Sequence, residues 1–325
     1  MSRPAPSESL RAVQGRATLP RLDDDRVFSA DGGFETSLIF HQGIDLPLFA
    51  AFDLLEDEPG RDAIRAYFAP YLEVARDRGI GFVADTATWR ANPDWARQLG
   101  YDDAGLEAAN REAVSLAEEL REAGGRAGVP VAVSGVVGPR GDGYVADTHM
   151  SPEEAERYHA RQIGAFAGTT VDLVSAITMT YPDEAIGVVR AARAADLPVA
   201  VSFTVETDGR LPNGDDLGAA IERVDRETGG APEYFMINCA HPTHFEAVVR
   251  EGGAWRERVG GVRPNASTRS HAELDEAEEL DEGDPRDLAA RCAQLRDGLP
   301  HVRVLGGCCG TDHRHVGEIC AAWLS

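Results

Sequence analysis

Eight short runs rich in β-branched and small apolar residues recur along this chain, at 26–33, 79–86, 129–138, 171–180, 197–206, 233–239, 258–265 and 301–309. Runs such as VPVAVSGVVG are apolar almost throughout, so both faces of each strand need cover, as in a parallel sheet. Stretches with apolar residues at helical spacing lie between them, among them 63–79, 106–124, 151–167 and 183–196. The third opens with Ser151 as an N-cap and Pro152 in the first turn.

Strands alternating with helices close into a (β/α)8 TIM barrel or spread into an open doubly wound sheet. Eight units favour the barrel, and no G-x-G-x-x-G follows the first strand. With 43% apolar residues the chain can fill one large core. The expectation is an α/β protein built as a single (β/α)8 TIM barrel over 22–325, with residues 1–21 as a loose extension.

Charge limits the partners. Thirty-two cations, every one an arginine, face 55 acidic residues for a net charge of −23. Such a surface repels nucleic acid and anionic membrane. The acidic stretch 273–287 reads as a solvated loop or helix after the seventh strand. Five cysteines, an odd number, suit a reducing compartment better than a secreted disulfide framework. The first residues lack the apolar core of a signal peptide, and no run is long enough to span a membrane. A cytoplasmic protein is expected; nothing in the sequence sets its oligomeric state.

Barrel chemistry gathers where the strands end. The sixth run ends in Asn238–Cys239 and the eighth in Cys308–Cys309, with one strand between them. Three thiols can therefore converge, a soft-ligand set that suits zinc and leaves its fourth position open. Gly306 and Gly307 are expected to let the backbone turn sharply, so that consecutive cysteines reach one point. From spacing alone, inert core cysteines remain the alternative. His241 and His244 read as pocket or capping residues, His313 and His315 as neighbours of the site, and Cys292 and Cys320 as core.

DGG at 31–33, SGVVGPRGDGY at 134–144, SFTV…LPNGDDL at 202–217, NC at 238–239 and GGCCGT at 306–311 occur in that order. Together they resemble the homocysteine S-methyltransferase family, which includes the betaine– and S-methylmethionine–homocysteine methyltransferases. The resemblance implies a barrel whose Cys239, Cys308 and Cys309 hold Zn2+, with the acceptor thiol in the fourth position. It also implies that Asp31, Gly32 and Gly33 receive the amino-acid end of the acceptor. The methyl group would come from a small activated donor, S-methylmethionine or S-adenosylmethionine before a betaine, and homocysteine would become methionine.

The chain departs from that pattern in two places. Ile177, followed by Thr178, stands where the family carries a glutamate that contacts the substrate amine. Asp183 or Glu184 could compensate, as could Glu35, which replaces a usual glycine beside the DGG segment. Trp89 could cover a cationic donor or simply pack a loop. The expected substrate-binding set is Asp31, Gly32, Gly33, Glu35, Trp89 and Thr178. Two other readings stand beside methyl transfer: a zinc or thiol-binding barrel without catalysis or acting on another small thiol, and a zinc hydrolase.

Overall fold

The computed structural model describes residues 19–22, 25–146 and 148–325. All eight apolar runs contain a strand: β1 Phe28–Ser29, β2 Gly81–Asp85, β3 Val131–Val137, β4 Leu173–Met179, β5 Val199–Phe203, β6 Tyr234–Asn238, β7 Val259–Arg263 and β8 Val304–Leu305. They pair in sequence order, all parallel, into a closed barrel. Phe28 closes the ring, with Gly81 as partner on one side and Val304 on the other. This is the expected (β/α)8 TIM barrel.

One long helix follows each strand: α1 Glu58–Arg78, α2 Asp103–Ala127, α3 Pro152–Ala167, α4 Pro182–Ala194, α5 Leu217–Thr228, α6 Pro242–Glu251, α7 Pro285–Gln294 and α8 His313–Leu324. Local chemistry fixes their starts. Ser151 and Glu154 form a reciprocal capping box at α3. The Asp57 carboxylate accepts from the Gly60 N–H at 2.8 Å, which starts α1 earlier than apolar spacing suggests. Pro59 lies in the first turn of α1, where proline fits a helix.

The core has two layers. A large shell packs the outer strand faces against the helices. A smaller cluster fills the barrel's interior, where Phe28, Leu173, Tyr234 and Met236 are nearly inaccessible. Residues 1–18 of the expected extension lie outside the described residues; Leu19 packs in the interior cluster. Among the described residues no helix is long and apolar enough to cross a membrane. The 273–287 stretch forms the end of a short helix, His271–Asp275, then loop up to α7.

Candidate active site

Cys239 follows β6, and Cys308 and Cys309 follow β8. Their three Sγ atoms lie within 4.8 Å of one another. Strand alternation alone would turn Cys239 away from the barrel axis, because Asn238 already faces inward. A left-handed backbone at Cys239, with φ +52°, brings its sulfur back. Such a conformation is strained for a residue with a side chain and persists where the surroundings hold it. The Cys239 N–H donates to the Arg263 carbonyl at 3.0 Å, and His271 Nε2 donates to the Cys239 carbonyl at 2.7 Å.

The cysteine doublet sits in a tight turn closed by the Thr311 N–H on the Cys308 carbonyl at 3.0 Å. Gly310 takes the positive-φ position of that turn at +75°. The sharp turn expected at Gly306 and Gly307 is therefore not theirs, since neither adopts positive φ. Their smallness serves close approach instead: a Cβ on Gly307 would fall 2.0 Å from Thr311 Oγ1. The DGG segment lies directly against this turn, with Gly33 N–H donating to Thr311 O at 2.9 Å and Gly307 N–H to Asp31 O at 2.8 Å.

Each sulfur has a polar donor. The Tyr144 hydroxyl lies 3.1 Å from Cys239 Sγ and 3.4 Å from Cys309 Sγ. Asn265 Nδ2 donates to Cys239 Sγ at 3.6 Å, and Asn238 Nδ2 to Cys308 Sγ at 3.8 Å. Burial pushes the Cys239 thiol well above its ordinary range. Cys309 is raised as well, first by its contact with Cys239 and then by burial. Thiols in such a place become thiolates when a cation neutralises them. Tetrahedral zinc, with bonds of about 2.3 Å, needs sulfurs about 3.8 Å apart, which this spacing accommodates. The donor set fits a soft divalent metal.

A cavity of about 620 Å³, counting its open mouth, adjoins the sulfurs. Its wall includes all six residues expected to bind substrate, Asp31, Gly32, Gly33, Glu35, Trp89 and Thr178, together with Cys308 and Cys309. At one side Arg263 organises an ionic network. Arg263 donates to Asp31 and to Asp85, each in a close ion pair, and its Nε reaches Gly307 O at 3.3 Å. Tyr67 adds a hydrogen bond to Asp31 at 3.1 Å. Burial lifts Asp31 to about 7 against the pull of Arg263. Glu35 also rises to about 7, chiefly through desolvation.

Ile177 lines the cavity and is nearly buried. Thr178 follows with φ +65°, where the β4–β5 register shifts, and is held by the Asn238 side chain from both directions. Ser202 supports that amide from β5 at 2.6 Å. Residues 210–216 of the same motif form a small bridge between Arg210 and Asp216 and do not line the cavity.

Compensation for Ile177 by α4 is ruled out by placement. Glu184 is buried against His159 and the Arg140 N–H, and Asp183 pairs with Arg223. Trp89 donates its indole N–H to the Ile177 carbonyl at 3.1 Å, and the Arg90 guanidinium lies 4.8 Å from its ring centre. His241 caps α6, and His244 Nε2 donates to Thr268 O at 2.9 Å. His315 is buried between Asp312 and the Glu282 carbonyl, while His313 is exposed. Cys292 and Cys320 are core residues. Sequence reasoning gave no role to Asp85, Tyr144, Arg263, Asn265 or His271. Tyr144 closes the quoted 134–144 motif and Arg263 interrupts the apolar run 258–265, but neither position by itself told of a role.

The chain matches the model of a family described as homocysteine S-methyltransferase over residues 29–323. It is 27% identical over 318 residues to the homocysteine S-methyltransferase of Escherichia coli K12, covering 92% of this chain and 96% of that relative. It is 24% identical over 324 residues to the S-methylmethionine–homocysteine S-methyltransferase BHMT2 of Rattus norvegicus, covering 94% of this chain and 80% of that one. The oxidised form of the homocysteine methyltransferase MmuM from Escherichia coli superposes with a TM-score of 0.72 at 24% identity, covering 97% of this chain and 99% of the other. Its metallated form gives 0.69 at 23% identity, covering 92% and 96%. The superpositions establish a shared fold, and the family match runs from β1 into α8. This chain belongs to the homocysteine S-methyltransferase family of methyltransferases.

Proposed function

We propose that this protein is a zinc-dependent S-methyltransferase that moves a methyl group from a small activated donor to homocysteine, giving methionine. S-methylmethionine and S-adenosylmethionine are the favoured donors. The observation that carries this reading is the convergence of Cys239, Cys308 and Cys309, from two strand ends, with Cys308 and Cys309 in the wall of the cavity that the first loop also lines. Zinc on these sulfurs supplies the positive charge that keeps an acceptor thiol ionised at neutral pH.

The chain's own residues do the remainder. Tyr144, Asn238 and Asn265 donate to the three sulfurs and fix their directions. Ile177, Phe49 and Trp89 give the cavity an apolar side that limits water around the reacting sulfur. Gly32 and Gly33 let the first loop lie close to the cysteine turn, where the amino-acid end of the acceptor binds in this reading. The acceptor sulfur takes the methyl carbon in line as the donor's carbon–sulfur bond breaks, and the donor departs as a neutral thioether. No proton leaves the carbon, so positioning and charge carry the reaction. The acidic composition keeps nucleic acid outside this reading, which takes the protein as cytoplasmic.

The test is transfer of an isotopically labelled methyl group from S-methylmethionine or S-adenosylmethionine to homocysteine, giving methionine, or to other small thiols, giving their S-methyl thioethers, before and after chelation. Turnover that chelation stops and zinc restores is expected. No turnover with any thiol would make this a binding protein, and chelator-sensitive ester or amide cleavage would make it a hydrolase.

A further inference from the structure

Three carboxylates line the cavity, and Arg263 is the only cation among its lining residues. Arg263 is already engaged by Asp31 and by one oxygen of Asp85. The other oxygen, Asp85 Oδ1, is buried without a hydrogen-bond partner. Glu35 has no ion-pair partner within 4.0 Å among the described residues. Arg90, the first cation to act on Glu35, does not line the cavity, and its Nε is buried without a hydrogen-bond partner. Its guanidinium stacks 3.8 Å from the Trp95 ring centre and 4.8 Å from that of Trp89, and reaches Asp142 at 3.8 Å.

Acceptors thus outnumber donors on this wall. Glu35 follows β1 and Asp85 ends β2, which are neighbouring strands, and both line the cavity together with Asp31. Isolated ionised carboxylates in such a place are costly until a donor with positive charge arrives. An ammonium brings three N–H donors, and the favoured sulfonium donors carry an ammonium as homocysteine does, so position decides which of them Glu35 receives. The segment carrying Glu35 also touches the cysteine turn: a Cβ on Gly33 would lie 2.7 Å from Cys308 O. Whatever binds Glu35 is therefore placed beside the sulfur end.

We propose that Glu35, with Asp85 Oδ1 as a second acceptor, is the counter-ion for the ammonium group of the thiol acceptor, and so makes the site selective for an aminothiol. This rests on the thiol-acceptor reading above. The raised pKa of the free Glu35 carboxyl agrees with a group awaiting its cation.

The test is calorimetric binding, without methyl donor, to the metal-loaded full-length protein. The two probes are homocysteine and 4-mercaptobutanoate, which keeps the thiol and carboxylate but lacks the amine. Wild type is expected to prefer homocysteine by about tenfold or more, the range of a charge-assisted hydrogen bond. In Glu35→Gln that preference should fall to about threefold or less with 4-mercaptobutanoate affinity unchanged. Glu35→Asp should keep part of it.

Equal affinity of wild type for both probes overturns the proposal while leaving thiol binding intact. So does a Glu35→Gln variant that keeps the preference, which would give Glu35 to the donor or to neither. Equal weakening of both probes would show a merely structural role and also overturn it. If wild type binds neither thiol, the acceptor reading fails and this inference falls with it.

Discussion

The two ends of the cavity are built on opposite principles. At the sulfur end, three neutral thiols and three polar donors converge with no fixed positive charge among them. At the carboxylate end, Arg263 stands between Asp31 and Asp85 and the chain supplies its own counter-ions. One end has no cation of its own; at the other Arg263 is already paired, while Glu35 and Asp85 Oδ1 stay open. A buried ion network of this kind defines geometry more than it adds stability, because desolvation offsets most of its attraction. The contrast separates what each end contributes when it is damaged.

The largest effect should come from the sulfur end and should fall on metal, not on folding. Cys309→Ser is expected to reduce bound zinc from about one per chain to near zero by elemental analysis, since the remaining ligands no longer complete the thiolate set. The metal-free variant should melt close to metal-free wild type. A variant that retains zinc, or that loses stability without it, would mean that these cysteines are core residues after all.

The opposite pattern is expected for Arg263→Met. Two buried carboxylates would be left without their cation, a loss of about 3–5 kcal/mol when one partner of a buried pair is removed. Urea unfolding of the metal-free protein measures it. An unchanged midpoint would show that Asp31 and Asp85 are accommodated without the guanidinium at little cost, and the contrast between the two ends would collapse.

The sequence disclosed these ends unequally, for physical reasons. Parallel strands covered on both faces leave apolar runs, so the eight strands and the barrel were legible. Cysteines at the ends of the sixth and eighth runs announced themselves because thiols are few and the barrel brings strand ends together. Arg263 also sat at a strand end, but in a chain whose 32 cations are all arginine one more carries little information. Tyr144 lies in an irregular loop with no periodicity to mark its direction. The left-handed turn at Cys239 was unreadable for a different reason: a strained conformation is imposed by tertiary contacts, and the residue itself favours another. Glu35 and Ile177 stood out only as departures from a resemblance, and coordinates were needed to show that Glu35 reaches the cavity while Glu184 does not.

The smallest effect, and the finest probe of the carboxylate end, concerns Glu35 and pH. Desolvation raises its carboxyl from the ordinary 4.5 to about 7, with nearby Asp31 adding to the rise and Arg90 and Arg263 opposing it. Between these two values the unfolded chain has lost the proton while the folded protein keeps it. The native state therefore loses stability as pH rises from 4.5 to about 7, and the penalty stays constant above that. Glu35→Gln is neutral throughout and escapes the penalty. Metal-free Glu35→Gln should melt with wild type at pH 4.5 and about 2 °C or more above it at pH 8. Asp31 titrates in the same range, and relief of its repulsion by the neutral side chain acts in the same direction. A melting difference that stays flat with pH would mean that Glu35 is solvated at no cost, and that the open acceptor on this wall exerts no demand for a cation.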